Sequence, residues 1–185
     1  KDREELVTDG LKDVDAVLTT RELGKMIRRA GIKFTALPDE EFDRDIVGDY
    51  TGAGVIFGAT GGVMEAALRT AAFKLTGKEL EAVELKEVRG LDGVKEAAYN
   101  LGGTEVKVAV AHGMKNAKPL LDDIRAGKSP YVFIEIMGCP GGCVAGGGQP
   151  FVRECFLPNE DADIMDTFRE KRAAALYRED ENRPL

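Results

Sequence analysis

Hydrophobic residues fall in short blocks along this chain, some with a period of two and some with a period near 3.6, and turn residues separate them. Ala16–Thr19 predicts a short buried strand. Thr20 then opens a helix to about Arg29, with Thr20 as its N-cap and Gly31 as its stop. Residues 35–50 hold Pro38 and six acidic side chains, Asp39, Glu40, Glu41, Asp43, Asp45 and Asp49, so a solvated loop is expected there. Glycines crowd residues 52–62 around Val55, Ile56 and Phe57, which predicts another loop. A helix follows from Gly62 to about Leu75, with Val63, Ala66, Ala67 and Thr70 giving it a face of small side chains.

Alternation returns at 82–87 and 94–100, both read as strands. Asn100–Gly103 predicts a hairpin turn into Thr104–Ala111, where Glu105 and Lys107 alternate with valines before the unbroken apolar run Val108–Ala111 enters a core. A helix is expected over 116–126, with Pro119 in its first turn and Gly127 at its end. A buried strand at 131–136 and an amphipathic helix at 161–178 complete the chain, the helix offering Ile164, Phe168, Ala175 and Leu176 for packing. Helices and strands thus alternate. The expected class is α/β, a small mixed sheet flanked by helices and closed by a C-terminal helix, in a single domain over residues 1–185.

Composition changes this picture little but excludes several functions. With 185 residues, 43% of them hydrophobic and 32% charged, the chain has the balance of a globular domain with one substantial core rather than of a disordered segment. A net charge of −7 argues against a nucleic-acid surface. No apolar run approaches the length of a membrane helix. Three cysteines, an odd number, do not suggest a secreted disulfide framework, and the cytoplasm is the expected compartment.

Candidate chemistry concentrates in Glu135-Ile-Met-Gly-Cys-Pro-Gly-Gly-Cys-Val-Ala-Gly-Gly-Gly-Gln149. Two thiolates, Cys139 and Cys143, reach one metal centre if the backbone between them turns sharply. Pro140, Gly141 and Gly142 supply that turn. The cysteines leave the end of a predicted strand, where sites of α/β folds collect. By spacing alone, a pair of buried thiols and a disulfide stay open as alternatives. Zinc is disfavoured, because there is no second C-x-x-C and His112 is the sole histidine. Residues 52–62 lack the Gly-Lys-Ser/Thr of a phosphate loop and the spacing of a dinucleotide fingerprint.

The cysteine run resembles the third cysteine motif of the iron-only ([FeFe]) hydrogenases, E-x-M-x-C-P-x-G-C followed by G-G-G-Q. The stretch Thr51–Arg69 resembles a second signature of that family, and Val14–Leu23 and Val108–Gly113 are similar to further segments. The similarity runs from about Asp2 to the C-terminal helix. The family's first two cysteine motifs, resembling T-S-C-C-P and P-C-x-x-K-K-x-E, have no counterpart here. The resemblance therefore implies one lobe of the hydrogenase fold, the C-terminal half of the catalytic domain, met as an engineered piece, a cleavage product or a split subunit.

What the resemblance implies is specific. The family's H-cluster joins a [4Fe–4S] cubane through one cysteine sulfur to a two-iron subcluster, and it interconverts protons and dihydrogen. Cys139 is expected to ligate the cubane and Cys143 to bridge cubane and two-iron centre. Met137, Phe57 and Gly58 are expected to line the pocket of the two-iron centre, Phe57 excluding water and the Gly58 N–H facing a cyanide; by its residue type alone, Met137 reads first as a core methionine. With two of four ligands, the cluster is expected to be absent or labile in this chain by itself, and turnover absent. Expected partners are the N-terminal half of the hydrogenase and an electron carrier: ferredoxin, flavodoxin or a nicotinamide-linked subunit. An open apolar face predicts self-association, as a dimer. A hydrogenase-like iron–sulfur assembly or sensory protein, and a metal-free structural module, remain as alternatives. Glu135 reads as a salt-bridge or surface residue, with a proton path as the less favoured role. Glu65 and Arg69 read as a helix ion pair, His112 as a hydrogen-bonded structural residue, and Cys155 as a small buried hydrophobe.

Overall fold

In a computed structural model, the structure describes residues 3–40, 50–77, 85–151, 162–181 and 183. The chain divides into two compact units, residues 1–43 with 147–151 and residues 44–146 with 152–185.

The first unit starts with a two-stranded hairpin, β1 (Val7–Thr8) and β2 (Leu11–Lys12), paired Val7 with Lys12 and Thr8 with Leu11. Asp9 (φ +52°) and Gly10 (φ +78°) form its turn, the mirror-image geometry that an Asp-Gly pair favours. Residues 16–19 are not a strand. They run as irregular chain, with Val17 74% exposed, because Thr19 serves as the N-cap of α1 (Thr20–Arg29). The cap is therefore one residue earlier than expected. Thr19 and Glu22 form a reciprocal capping box. Within the same unit Arg21 holds the Gly147–Phe151 segment. Its guanidinium donates to the carbonyls of Gly147 and Gln149 and stacks over the Phe151 ring at 4.1 Å.

The second unit is an α/β sandwich. Its sheet has the order β3 (Val94–Leu101), β4 (Thr104–His112), β5 (Phe133–Met137), with β3–β4 antiparallel and β4–β5 parallel. Gly102 and Gly103, both at positive φ, make the expected hairpin turn. β4 is covered on both faces, which explains its unbroken apolar run. Val108 and Val110 pack with Met64, Leu68 and Ala72 of the helix Gly62–Thr76, while Ala109 and Ala111 pack with Leu120 and Ile134 on the other side.

Several boundaries differ from expectation for local reasons. Residues 52–58 are helical rather than a loop: a short helix, α2 (Gly52–Val55), capped by the Thr51 hydroxyl, runs into the 3₁₀ turn Ile56–Gly58. α3 spans Gly62–Thr76 and stops at Gly77 (φ +69°). The strand expected at 82–87 lies partly outside the described residues. Its end, Lys86–Val88, is a 3₁₀ turn that buries Leu85 and Val88, three residues apart, beneath α3. α4 (Met114–Arg125) starts two residues early, so Pro119 falls in its second turn. The last helix, α5 (Ala162–Glu181), runs three residues beyond expectation. Leu176 packs as foreseen, Ala175 is exposed, and the side chain of Ile164 lies outside the described residues, as does Cys155.

Candidate metal centre

The parallel strands β4 and β5 end together at His112 and Met137, and the cysteine turn leaves from there. Cys139 and Cys143 are free, exposed thiols. The Gly142 N–H donates to the Cys139 carbonyl (3.0 Å) and closes the bend, and the 3₁₀ turn Cys143–Ala145 follows. Gly141 and Gly142 hold φ of +82° and +96°, a region that side chains disfavour.

Crowding adds a second requirement for glycine. A Cβ on Gly142 would lie 2.7 Å from both the Gly58 carbonyl oxygen and the Thr60 nitrogen. The cysteine bend is thus pressed against the turn that carries Phe57 and Gly58, and the Thr60 N–H donates to the Gly141 carbonyl (3.1 Å). Phe57 is 48% exposed, Gly58 is half-buried, and Met137 is half-buried on the same sheet face as Glu135. The sequence-predicted site residues therefore come together at one end of the sheet.

Two other elements hold this bend. His112 Nδ1 accepts from the Gly141 N–H (3.2 Å), which places the ring proton on Nε2, 2.9 Å from the Leu91 carbonyl. The structural role foreseen for His112 is met. From α5, Arg172 donates to the Val144 carbonyl (2.9 Å). The Arg169 stem lies where a Cβ on Gly141 would reach 2.9 Å from its Cδ, and Leu176 closes over Gly58.

Glu135 overturns its expected surface role. It is 6% exposed, and its two oxygens accept from the Gly61 and Met64 N–H groups, each at 2.7 Å. Those amides open α3, so a buried carboxylate from β5 caps the helix in place of a local cap. A charged residue inside the apolar run Tyr131–Ile136 was the available signal. Lys95 was missed outright. It is buried on β3 and donates to the Thr60 (3.3 Å) and Gly90 (2.9 Å) carbonyls, and nothing in its local sequence marks it. Burial pushes its ammonium down to about 8, against the opposing charges of Glu135 and Asp92.

The Glu65–Arg69 pair exists within a larger cluster. Glu65, fully buried, accepts from Arg69 (2.6 Å) and from Arg89 through two nitrogens, while Asp180 of α5 takes the other face of Arg69 with two bonds of 2.7 Å. Asp180 holds the Arg69 guanidinium well above its ordinary range against the pull of burial, and Arg89 stacks on Tyr177 at 4.1 Å. The cluster ties α3, the segment after Val88 and α5 together behind the site.

Among the described residues, no group of three or more His, Cys, Asp or Glu side chains stands ready to hold a metal ion. Two soft thiols on one glycine-shaped bend, beside a partly apolar wall, fit half the ligand set of an iron–sulfur centre. No described helix is long and apolar enough to cross a membrane.

Comparison with known proteins agrees with this geometry. The family described as "Iron only hydrogenase large subunit, C-terminal domain" matches residues 1–147. The periplasmic [Fe] hydrogenase large subunit of Nitratidesulfovibrio vulgaris is 60% identical over 148 residues, 80% of this chain and 35% of that protein. Protein NAR1 of Arabidopsis thaliana is 35% identical over 144 residues, 75% of this chain and 30% of that protein. A solved [FeFe]-hydrogenase of Chlamydomonas reinhardtii superposes with a TM-score of 0.66 at 39% identity, covering 95% of this chain and 49% of the other. The chain thus spans about a third of these curated relatives and about half of the solved hydrogenase. It belongs to the iron-only hydrogenase large subunit family, as part of that subunit's C-terminal domain.

Proposed function

We propose that this chain supplies half of the cluster ligands and part of the cofactor wall in a hydrogenase that reversibly reduces protons to dihydrogen. Cys139 would hold the cubane and Cys143 would bridge it to the two-iron centre. When bound, that centre supplies the redox and hydrogen-binding chemistry. The residues of this chain bind, orient and shield it: Met137, Phe57 and Gly58 line its pocket, and the thiolates balance its charge states. The carrying observation is the lock between the two signatures, Gly142 packed on Gly58 and Thr60 and the Thr60 N–H bonded to Gly141.

The remaining ligands come from the N-terminal half of the same hydrogenase, so the 185-residue chain alone has no turnover. Electrons reach the complete protein from ferredoxin, flavodoxin or a nicotinamide-linked subunit. The proposed compartment is the cytoplasm; cell fractionation decides it, and recovery from a periplasmic fraction overturns it.

Gas chromatography of hydrogen evolved by the full-length protein, carrying its complete cluster and given a reduced low-potential donor, tests the activity. Hydrogen lost on Cys143→Ala supports the reading. A second reading, an iron–sulfur assembly protein without hydrogen chemistry, is favoured by the similarity to cytosolic iron-sulfur assembly component 3 of Mus musculus, 32% identical over 140 residues. Absence of hydrogen despite a complete two-iron centre selects it.

A further inference from the structure

Lys95, Val110 and Glu135 are direct partners across β3, β4 and β5, so their side chains leave the same face of the sheet. That face lies under the turn between Gly58 and Gly62. Lys95 and Glu135 both reach the same peptide unit. The Lys95 ammonium donates to the Thr60 carbonyl (3.3 Å), and the Glu135 carboxylate accepts from the Gly61 N–H (2.7 Å). A buried cation thus holds the negative end of the Thr60–Gly61 peptide, and a buried anion holds its positive end. Each charge favours the peptide orientation that the other requires, and in a site shielded from water such charge-assisted bonds are strong.

The held peptide carries the cysteine bend. The Thr60 N–H, on the preceding peptide, donates to the Gly141 carbonyl, and Gly142 packs against the backbone of residues 58–60. A flip of the Thr60–Gly61 peptide would leave Lys95 and Glu135 without those partners and shift the surface on which Gly142 rests. Glu135 also connects to the bend from below, four residues before Cys139 on the same strand and loop.

We infer that Lys95 and Glu135 are positioning residues for the cluster-holding bend, acting through the Thr60–Gly61 peptide rather than as ligands or proton carriers. The inference rests on the hydrogenase reading above. Its chemical content is that the two side chains set how firmly Cys139 and Cys143 are presented to iron. Neutralising either one loosens the bend while leaving both thiols in place.

The test uses full-length, cluster-loaded protein and the variants Lys95→Met, Glu135→Gln, Lys95→Arg, Leu68→Ala, Cys139→Ala and Cys143→Ala. The first readout is the rate of iron loss to a chelator. The second is the electron paramagnetic resonance spectrum of the reduced cubane. Lys95→Met and Glu135→Gln are expected to lose iron roughly 10–100-fold faster, the range typical of residues that orient metal ligands, and to broaden the spectrum. Lys95→Arg keeps a cationic donor and should restore both. Leu68→Ala removes core packing on the same face and should lower stability without changing the spectrum. Unchanged iron loss and spectrum in Lys95→Met and Glu135→Gln overturn the positioning role. So does a Leu68→Ala spectrum as broad as theirs, since general loosening then explains the effect. Iron content unaffected by Cys139→Ala and Cys143→Ala overturns the hydrogenase reading itself. If Glu135→Gln does not fold, Lys95→Met and its arginine rescue decide the matter.

Discussion

Gly142 satisfies two demands at once, a positive φ and an approach to backbone that leaves no room for a methyl group. Gly142→Ala is therefore expected to displace the cysteine bend and reduce iron bound by the full-length protein; unchanged iron content would contradict the close packing. Glu135→Ala leaves two buried N–H groups unpaired at the start of α3, a cost of roughly 3 kcal/mol in urea unfolding. A change near zero would show that water reaches those amides. Lys95 gives a pH signature. The unfolded chain keeps this proton to about its ordinary 10.5, the folded chain only to about 8, so between these values the unfolded state binds more protons and stability rises with pH. The stability of the wild type relative to Lys95→Met should rise across that window; a flat difference would contradict the burial of a charged lysine. The Cys-Pro-Gly-Gly-Cys bend was legible in sequence because its turn chemistry is local. Glu135 and Lys95 were not, because their roles depend on partners 71 to 74 and 35 residues away.

Among elements, the buried cluster of Glu65, Arg69, Arg89 and Asp180 joins α3 to α5. Glu65→Ala leaves Arg89 without its carboxylate in a half-buried site, and a loss of roughly 3–5 kcal/mol is expected. Thr19→Ala, at an exposed cap on α1, should cost about 1 kcal/mol. Urea unfolding compares the two; equal losses would contradict the difference in burial. Where periodicity and capping agreed, the elements were readable: α1, α3, the β3–β4 hairpin and the two-sided burial of β4. Residues 16–19 misled because an apolar block beside a helix cap mimics a strand. Residues 52–58 misled because three glycines disfavour helix locally, while close packing against Asp180, Leu176 and Val144 requires small residues there. Leu85 and Val88 follow a period of three, which short alternation disguised.

At the scale of the whole molecule, the chain covers part of its relatives, and apolar side chains stand open on both units. Val17, Leu18 and Phe34 are exposed on one, and Phe57, Met114 and Phe133 on the other. By itself the chain is expected to self-associate, and sedimentation should show species heavier than a monomer. A strict monomer at all concentrations would contradict that expectation. The family was legible at this scale because two signatures, far apart in sequence, both resemble it, and the structure brings Gly142 of one against Gly58 of the other. The most direct test is an anomalous iron map from crystals of the full-length, cluster-loaded protein. The account predicts iron within bonding distance of both the Cys139 and Cys143 sulfurs, with Phe57 and Gly58 lining the adjoining two-iron centre. Iron bound elsewhere, with either thiol left free, would contradict it.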